Sequence, residues 1–159
     1  MTGSDVERIL EVCKERGLTV AVAESCTGGL VGHLLTNAPG ASAVFMGGVI
    51  AYDNEVKIKL LGVEAETIRK YGAVSKETAE EMAVGVRKAL GTDAGLAITG
   101  IAGPGGGTVE KPVGTVFVAA ATKNGVTVER LGLSGGREEI KMSAAKDAIR
   151  MLIGAVSPG

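Results

Sequence analysis

The sequence predicts an α/β fold: a three-layer α/β/α sandwich around a mixed, mostly parallel sheet of about five strands, with strand four antiparallel. Three observations predict it. Helical and strand periods alternate through the first three strands, which favours parallel strands joined by helical crossovers. One hairpin signal, Lys123-Asn-Gly125, joins two late apolar runs and sets the fourth strand against the fifth. At 159 residues, 45% hydrophobic and 22% charged, the chain can bury a sizeable core. A single domain is expected over 1–159.

The elements follow in order. Ser4-Asp-Val-Glu7 is a capping box, a hydroxyl with a carboxylate three residues on. Val6, Ile9, Leu10 and Cys13 recur at helical spacing, and Gly17 stops that helix. Leu18–Ala23 is strand one, short, apolar and β-branched. Gly28 to about Asn37 reads as a helix with Leu30, Val31, Leu34 and Leu35 inward, ending near Pro39-Gly40. Gly47–Tyr52 is strand two. Glu55–Leu61 and Ala65–Tyr71 are short helices. Ser75 caps a longer one with Ala79, Met82, Ala83, Val86 and Leu90 inward. Gly95–Thr99 is strand three, followed by the loop Gly100-Ile-Ala-Gly-Pro-Gly-Gly-Gly107. Val113–Ala121 and Val126–Leu133 flank the hairpin turn, and Arg137 to about Ala155 closes the chain as a helix.

Composition removes several function classes. Aromatics are 3% with no Trp, so stacking platforms for single-stranded nucleic acid are disfavoured. Net charge is −1 without a basic block, which argues against bulk phosphate-backbone binding. No apolar run reaches membrane-spanning length and the first residues are no signal peptide. The expectation is a cytoplasmic protein with no nucleic-acid or membrane partner. Cys13 and Cys26 match no metal or redox spacing, and His33 is the only histidine. No metal or cofactor is expected.

With strand four reversed, the unusual residues share the carboxyl edge of the sheet, where open α/β sheets bind ligands. Ser25 follows strand one, Tyr52 ends strand two, and Thr99 ends strand three. The glycine loop follows Thr99. Lys111 precedes strand four, and Arg137 follows strand five. Ser25 stands between a buried strand and a glycine-led helix start, in the manner of a nucleophile elbow, although Ala23-Glu-Ser-Cys-Thr27 is not Gly-x-Ser-x-Gly. Spacing leaves open whether Ser25 is a nucleophile or whether Ser25 or Thr27 caps the helix. A nucleophilic serine needs a base. His33 reads as a solvated helix residue, and carboxylates suit the task poorly. Lys57 remains, a base if desolvated and an ordinary surface lysine otherwise. Tyr52 would relay the proton or orient the serine. Ser143-Ala-Ala-Lys146 matches Ser-x-x-Lys. It falls on a polar stripe with Glu139 and Arg150 and is set aside. The glycine loop either cradles an anion or is a tight structural loop, and it lacks P-loop and dinucleotide fingerprints. Lys111 and Arg137 favour an anionic ligand.

The stretches "AVAESCTGGLVGHLLTNAPGAS", "GGVIAYDNEVKIKLLGV", "YGAVSKETAEEMA", "ITGIAGPGGGTVEKPVGTVFVA" and "LSGGRE" together resemble the CinA C-terminal domain family, the nicotinamide-nucleotide amidases. The resemblance covers nearly the whole chain, and the chain looks like the short, stand-alone form of that family. It implies deamidation of nicotinamide mononucleotide to nicotinic acid mononucleotide and ammonia, in pyridine-nucleotide recycling. It also implies a three-layer fold with one antiparallel strand. The family's serine, tyrosine and lysine fall on Ser25, Tyr52 and Lys57, with Tyr-x-Asn-x-x-Lys intact. In the implied mechanism Lys57, helped by Tyr52, takes the Ser25 proton, and amides around Cys26, Thr27, Gly28 and Gly29 hold the oxyanion. Thr99, Gly100, Ala102, Gly103, Lys111 and Arg137 complete the expected substrate site. A homo-oligomer is expected. The competing expectations are a non-catalytic nucleotide-binding or partner-regulating competence- or damage-associated module, and an amidase acting on another small carboxamide.

Overall fold

The computed structural model describes residues 4–158. Of the domain expected over 1–159, residues 1–3 and 159 lie outside them. Five strands form one sheet in the order β2-β1-β3-β4-β5. They are β1 (Val20–Glu24), β2 (Phe45–Ile50), β3 (Ala94–Gly100), β4 (Thr115–Thr122) and β5 (Gly125–Gly132). The helices are α1 (Asp5–Arg16), α2 (Leu30–Thr36), α3 (Asn54–Leu61), α4 (Ala65–Tyr71), α5 (Lys76–Leu90) and α6 (Arg137–Val156). β1 pairs in parallel with both β2 and β3. β4 is antiparallel to β3 and to β5, as the hairpin signal requires.

Two apolar layers cover the sheet. On one face α1, α2 and α6 pack over Val20, Val22, Leu96, Ile98, Val116 and Val118. On the other, α3 and α5 pack over Ala21, Ala23, Ala97, Ala119 and Ala121. The second face is lined by alanine because α5 lies close to it. A Cβ added at Gly95 would come within 2.3 Å of the Ala83 carbonyl oxygen. Larger side chains there would push the helix off the sheet, which is why a core almost free of aromatics suits this fold. The polar stripe on α6 is as expected. Lys146 and Arg150 are exposed while Ile140, Ala144, Ala148, Leu152 and Ile153 are buried.

Element ends differ from the expected ones by at most two residues, and two of the shifts have a clear local reason. α2 begins at Leu30 rather than Gly28 because Gly28 and Gly29 take φ values of 59° and 106°, outside the helical region. β4 begins at Thr115 rather than Val113 because the Thr115 N–H donates back to the Pro112 carbonyl, which closes a turn around Val113.

The connections place the binding crevice. From β1 the chain crosses to β2 on one side, and from β2 it returns past β1 to β3 on the other. β1 and β3 are therefore neighbours whose chains leave in opposite directions. Open α/β sheets keep a crevice at such a switch point, outside the carboxyl ends of the strands.

Candidate functional site

A cavity of about 280 Å3 opens at this switch point. Its wall comes from four of the five expected segments. Ser25 and Cys26 follow β1, and Tyr52, Asn54 and Lys57 follow β2. Thr99 to Gly103 with Gly105 and Gly106 follow β3, and Arg137 opens α6. Ala73 and Val74, between α4 and α5, complete it. Larger grooves run along α1 and between β5 and α6, but neither includes any of these residues.

The Ser25 turn is held from inside the protein. The Ser25 N–H donates to the Ile98 carbonyl at 3.0 Å, and the Gly28 N–H donates to the Ser25 carbonyl at 3.1 Å. The Ser25 side chain itself makes no hydrogen bond within the described residues, which leaves its hydroxyl free at the cavity wall. Its neighbour Cys26 is 7% exposed, and burial pushes the thiol up to about 11. A thiol so raised carries little thiolate at neutral pH, so Cys26 lacks the lowered value that marks a reactive cysteine.

Neither Ser25 nor Thr27 caps α2. Glu24 does. Its carboxylate accepts from the Gly29, Val31 and Gly32 N–H groups at 3.2, 2.9 and 3.0 Å. The expected oxyanion donors need correction for this reason. The Gly28 and Gly29 amides are already bonded, whereas the Thr27 amide has no acceptor among the described residues and the Cys26 amide meets only its own sulfur. The Thr27 hydroxyl is buried without a partner. The glycine loop adds further open amides at Ala102, Gly103, Gly105 and Gly106.

Lys57 is not a surface lysine. It is 1% exposed, and its Nζ donates to the Ala51 and Tyr52 carbonyls at 2.8 and 3.1 Å. No carboxylate forms an ion pair with it among the described residues. Burial therefore holds the ammonium below its ordinary value, and the charges of Asp53 and Cys26 offset this only in part. The α3 helix that carries it starts from an Asp53 cap, whose carboxylate accepts the Glu55 N–H at 2.8 Å. His33 is exposed on α2 beside Asn37, as expected.

Tyr52 and Arg137 form a pair that spacing could not reveal, being 85 residues apart. One Arg137 nitrogen donates to the Tyr52 hydroxyl at 3.0 Å and another to the Gly103 carbonyl at 2.5 Å. The Tyr52 phenol thus meets Arg137, and no hydrogen bond joins it to Ser25 or Lys57 among the described residues. Both partners of Arg137 are neutral and no carboxylate forms an ion pair with it among the described residues, so the guanidinium stands at the cavity rim without a counter-charge there. Thr99 lines the wall, but its hydroxyl is occupied by the Ala73 carbonyl at 2.8 Å. Lys111 does not line the cavity. Its Nζ donates to the Tyr71 carbonyl at 2.8 Å and ties the glycine loop to the end of α4. Of the two cations expected at this edge, Arg137 lines the cavity and Lys111 does not.

Sequence reasoning gave no role to Glu24, Asn54, Ala73 or Val74, and it reached Ile101, Gly105 and Gly106 only as members of the glycine loop. Asn54 carried a signal, as the middle of Tyr-x-Asn-x-x-Lys, and so did the loop glycines. Ala73 and Val74 carried none. Among the described residues there is no group of three or more His, Cys, Asp or Glu that could hold a metal ion, and no helix is long and apolar enough to cross a membrane.

A sequence model of the CinA C-terminal domain matches residues 4–156. A CinA-like protein of Synechocystis sp. is 57% identical over 154 residues, covering 92% of this chain and 37% of that protein. A CinA-like protein of Kosmotoga olearia is 51% identical over 152 residues, covering 96% of this chain and 37% of that protein. The chain thus spans little more than a third of the length of these curated relatives. Among solved structures, the competence/damage inducible protein CihA of Agrobacterium tumefaciens is 41% identical with a TM-score of 0.92, covering 97% of both chains. A CinA superfamily protein of Klebsiella pneumoniae also reaches 0.92, at 32% identity, covering 96% of this chain and 95% of that one.

Proposed function

This chain belongs to the CinA C-terminal domain family, and from that premise we propose that it is a nicotinamide-nucleotide amidase that uses Ser25 as nucleophile and Lys57 as base. The observation that carries the reading is the shared wall of one cavity. There a hydroxyl without a hydrogen bond and a buried lysine of lowered proton affinity meet a guanidinium with no counter-charge.

Neutral Lys57 accepts the Ser25 proton, directly or through one water. The serine oxygen adds to the carboxamide carbon. The oxygen of the tetrahedral intermediate takes up negative charge and is met by free amides, of which Thr27 is the nearest in sequence. Collapse breaks the C–N bond, and the proton held by Lys57 passes to the departing nitrogen, which leaves as ammonia. Water then adds to the ester, Lys57 takes its proton, and nicotinic acid mononucleotide is released with Ser25 restored. The cationic pyridinium of the substrate withdraws electrons from the carboxamide and favours the first addition. Arg137, aimed by Tyr52 and Gly103, takes the 5′-phosphate at the rim. In this reading the phenol serves nucleotide binding, and Tyr52 touches the base only through its backbone carbonyl.

The test is ammonia release across nicotinamide mononucleotide, nicotinamide riboside and free nicotinamide. The reading predicts the mononucleotide as the preferred substrate. Equal turnover of all three would move it to a general small-carboxamide amidase. Tight nucleotide binding with no ammonia would leave a non-catalytic module.

A further inference from the structure

The residue before the proposed nucleophile is a carboxylate buried to 2% exposure. Glu24 closes β1, and its backbone is fixed on both sides, paired with Ile50 of β2 and Ile98 of β3. Its carbonyl also accepts the Ala51 N–H at 2.7 Å, directly before Tyr52. Its side chain reaches past the Ser25 turn to three amides at the start of α2. One residue therefore ties both ends of the segment from Ser25 to Gly28, the near end through the sheet and the far end through the carboxylate.

A plain helix cap does not account for this arrangement. Caps normally come from a hydroxyl or a short carboxylate at the residue next to the first turn. Here that place is Gly29, whose φ of 106° few side chains tolerate, and the cap comes from five residues back. A buried carboxylate with no cation partner is also a costly way to satisfy three amides. What it adds is rigidity. A charged acceptor bonds neutral donors more strongly than a hydroxyl does, and both of its oxygens are engaged. The Glu24 charge also contributes, after burial itself, to keeping the Cys26 thiol protonated.

We propose that Glu24 is a positioning residue, whose buried carboxylate locks the Ser25–Gly28 turn between β1 and α2 and so fixes the Ser25 hydroxyl at the cavity wall. The proposal rests on the reading of Ser25 as nucleophile. A displacement of about 1 Å at a reacting group can slow a reaction by about 100-fold, so loosening this turn acts on rate more than on affinity. Glu24→Gln keeps the size of the side chain but sets an amide NH2 against N–H donors.

The experiment labels Ser25 with a fluorophosphonate, followed by intact mass, and measures nucleotide affinity and melting temperature on the same samples. Ser4→Ala, which removes the α1 cap at the other end of the molecule, serves as a control for destabilisation alone. Glu24→Gln should label about 100-fold more slowly, with kcat falling in step while KM and nucleotide Kd stay within threefold. Ser4→Ala should melt lower and label at the wild-type rate. Labelling of Glu24→Gln within twofold of wild type would overturn the proposal and leave Glu24 as a helix cap. Should Glu24→Gln not fold, Glu24→Asp asks the same question, with charge kept and reach one methylene shorter. The same slow labelling is expected, and a wild-type rate would overturn the proposal. A wild type that labels at Ser25 but releases no ammonia from nicotinamide mononucleotide defeats the substrate assignment and leaves Glu24 to be judged by the labelling rates. A wild type in which Ser25 resists labelling counts against both.

Discussion

Replacing Lys57 with methionine removes the amine and keeps an apolar chain of similar length. At its ordinary value of 10.5 an amine is neutral in only about one molecule in 1,000 at pH 7.5. Each unit by which burial lowers that value multiplies the competent population tenfold and reflects about 1.4 kcal/mol of disfavoured charge. Lys57 has the surroundings that produce such a shift, with 1% exposure and no ion-pair partner among the described residues, and the Ala51 and Tyr52 carbonyls that accept from its Nζ work against the shift without cancelling it. Loss of the base should lower kcat by about 100- to 10,000-fold. Lys57→Arg should fall as far, because a guanidinium stays protonated. The assay is ammonia release from nicotinamide mononucleotide between pH 6 and 10. Wild-type kcat/KM should rise tenfold per pH unit up to the lowered value and then level off. Stability carries the same sign. Between the folded and unfolded values of Lys57 the unfolded chain holds more protons, so stability rises with pH across that window up to about 10.5, and Lys57→Met lacks the rise. A flat rate profile from pH 6 to 9, or Lys57→Arg retaining more than a tenth of wild-type turnover, would refute Lys57 as the base.

The cavity rim gives two further tests. Arg137→Ala should raise KM for the mononucleotide by about 10- to 100-fold, in line with a charge-assisted hydrogen bond, and leave the riboside little changed. Equal losses on the two substrates would remove Arg137 from phosphate binding. Tyr52→Phe deletes one acceptor of Arg137, so it should raise KM severalfold with kcat within about threefold. A large fall in kcat at unchanged KM would instead place the phenol in proton transfer.

The fold was legible because its signals are local. Ser4 and Glu7 form the capping box that their spacing implies, and α5 starts from a Ser75 cap that bonds the Thr78 N–H. The Lys123-Asn-Gly125 turn fixed the direction of β4, and that direction brought the carboxyl-edge residues together. The residues of the site were legible as a set, but their pairings were not. Whether Lys57 is solvated depends on the packing of α3, and nothing in Asn-Glu-Val-Lys57 states it. Lys111 and Arg137 both fell at the same edge in sequence, yet one bonds a backbone carbonyl outside the cavity and the other lines it. Glu24 was visible as a polar residue at a strand end. Its role depends on the positive φ of Gly28 and Gly29, which turns the α2 amides back toward it. Long-range geometry of this kind leaves no periodic trace.

The central claim is that Ser25 attacks the carboxamide, and one side-by-side measurement tests it most directly. Ammonia release from nicotinamide mononucleotide is followed for wild type, Ser25→Ala and Cys26→Ala, with nucleotide binding checked on each. Loss of an activated nucleophile lowers turnover by several orders of magnitude, about 10,000-fold or more. Ser25→Ala should therefore fall to background while still binding the nucleotide, and Cys26→Ala should keep substantial turnover because its raised thiol takes no part. Near-wild-type turnover in Ser25→Ala, with the loss found in Cys26→Ala instead, would contradict the account and make the thiol the nucleophile.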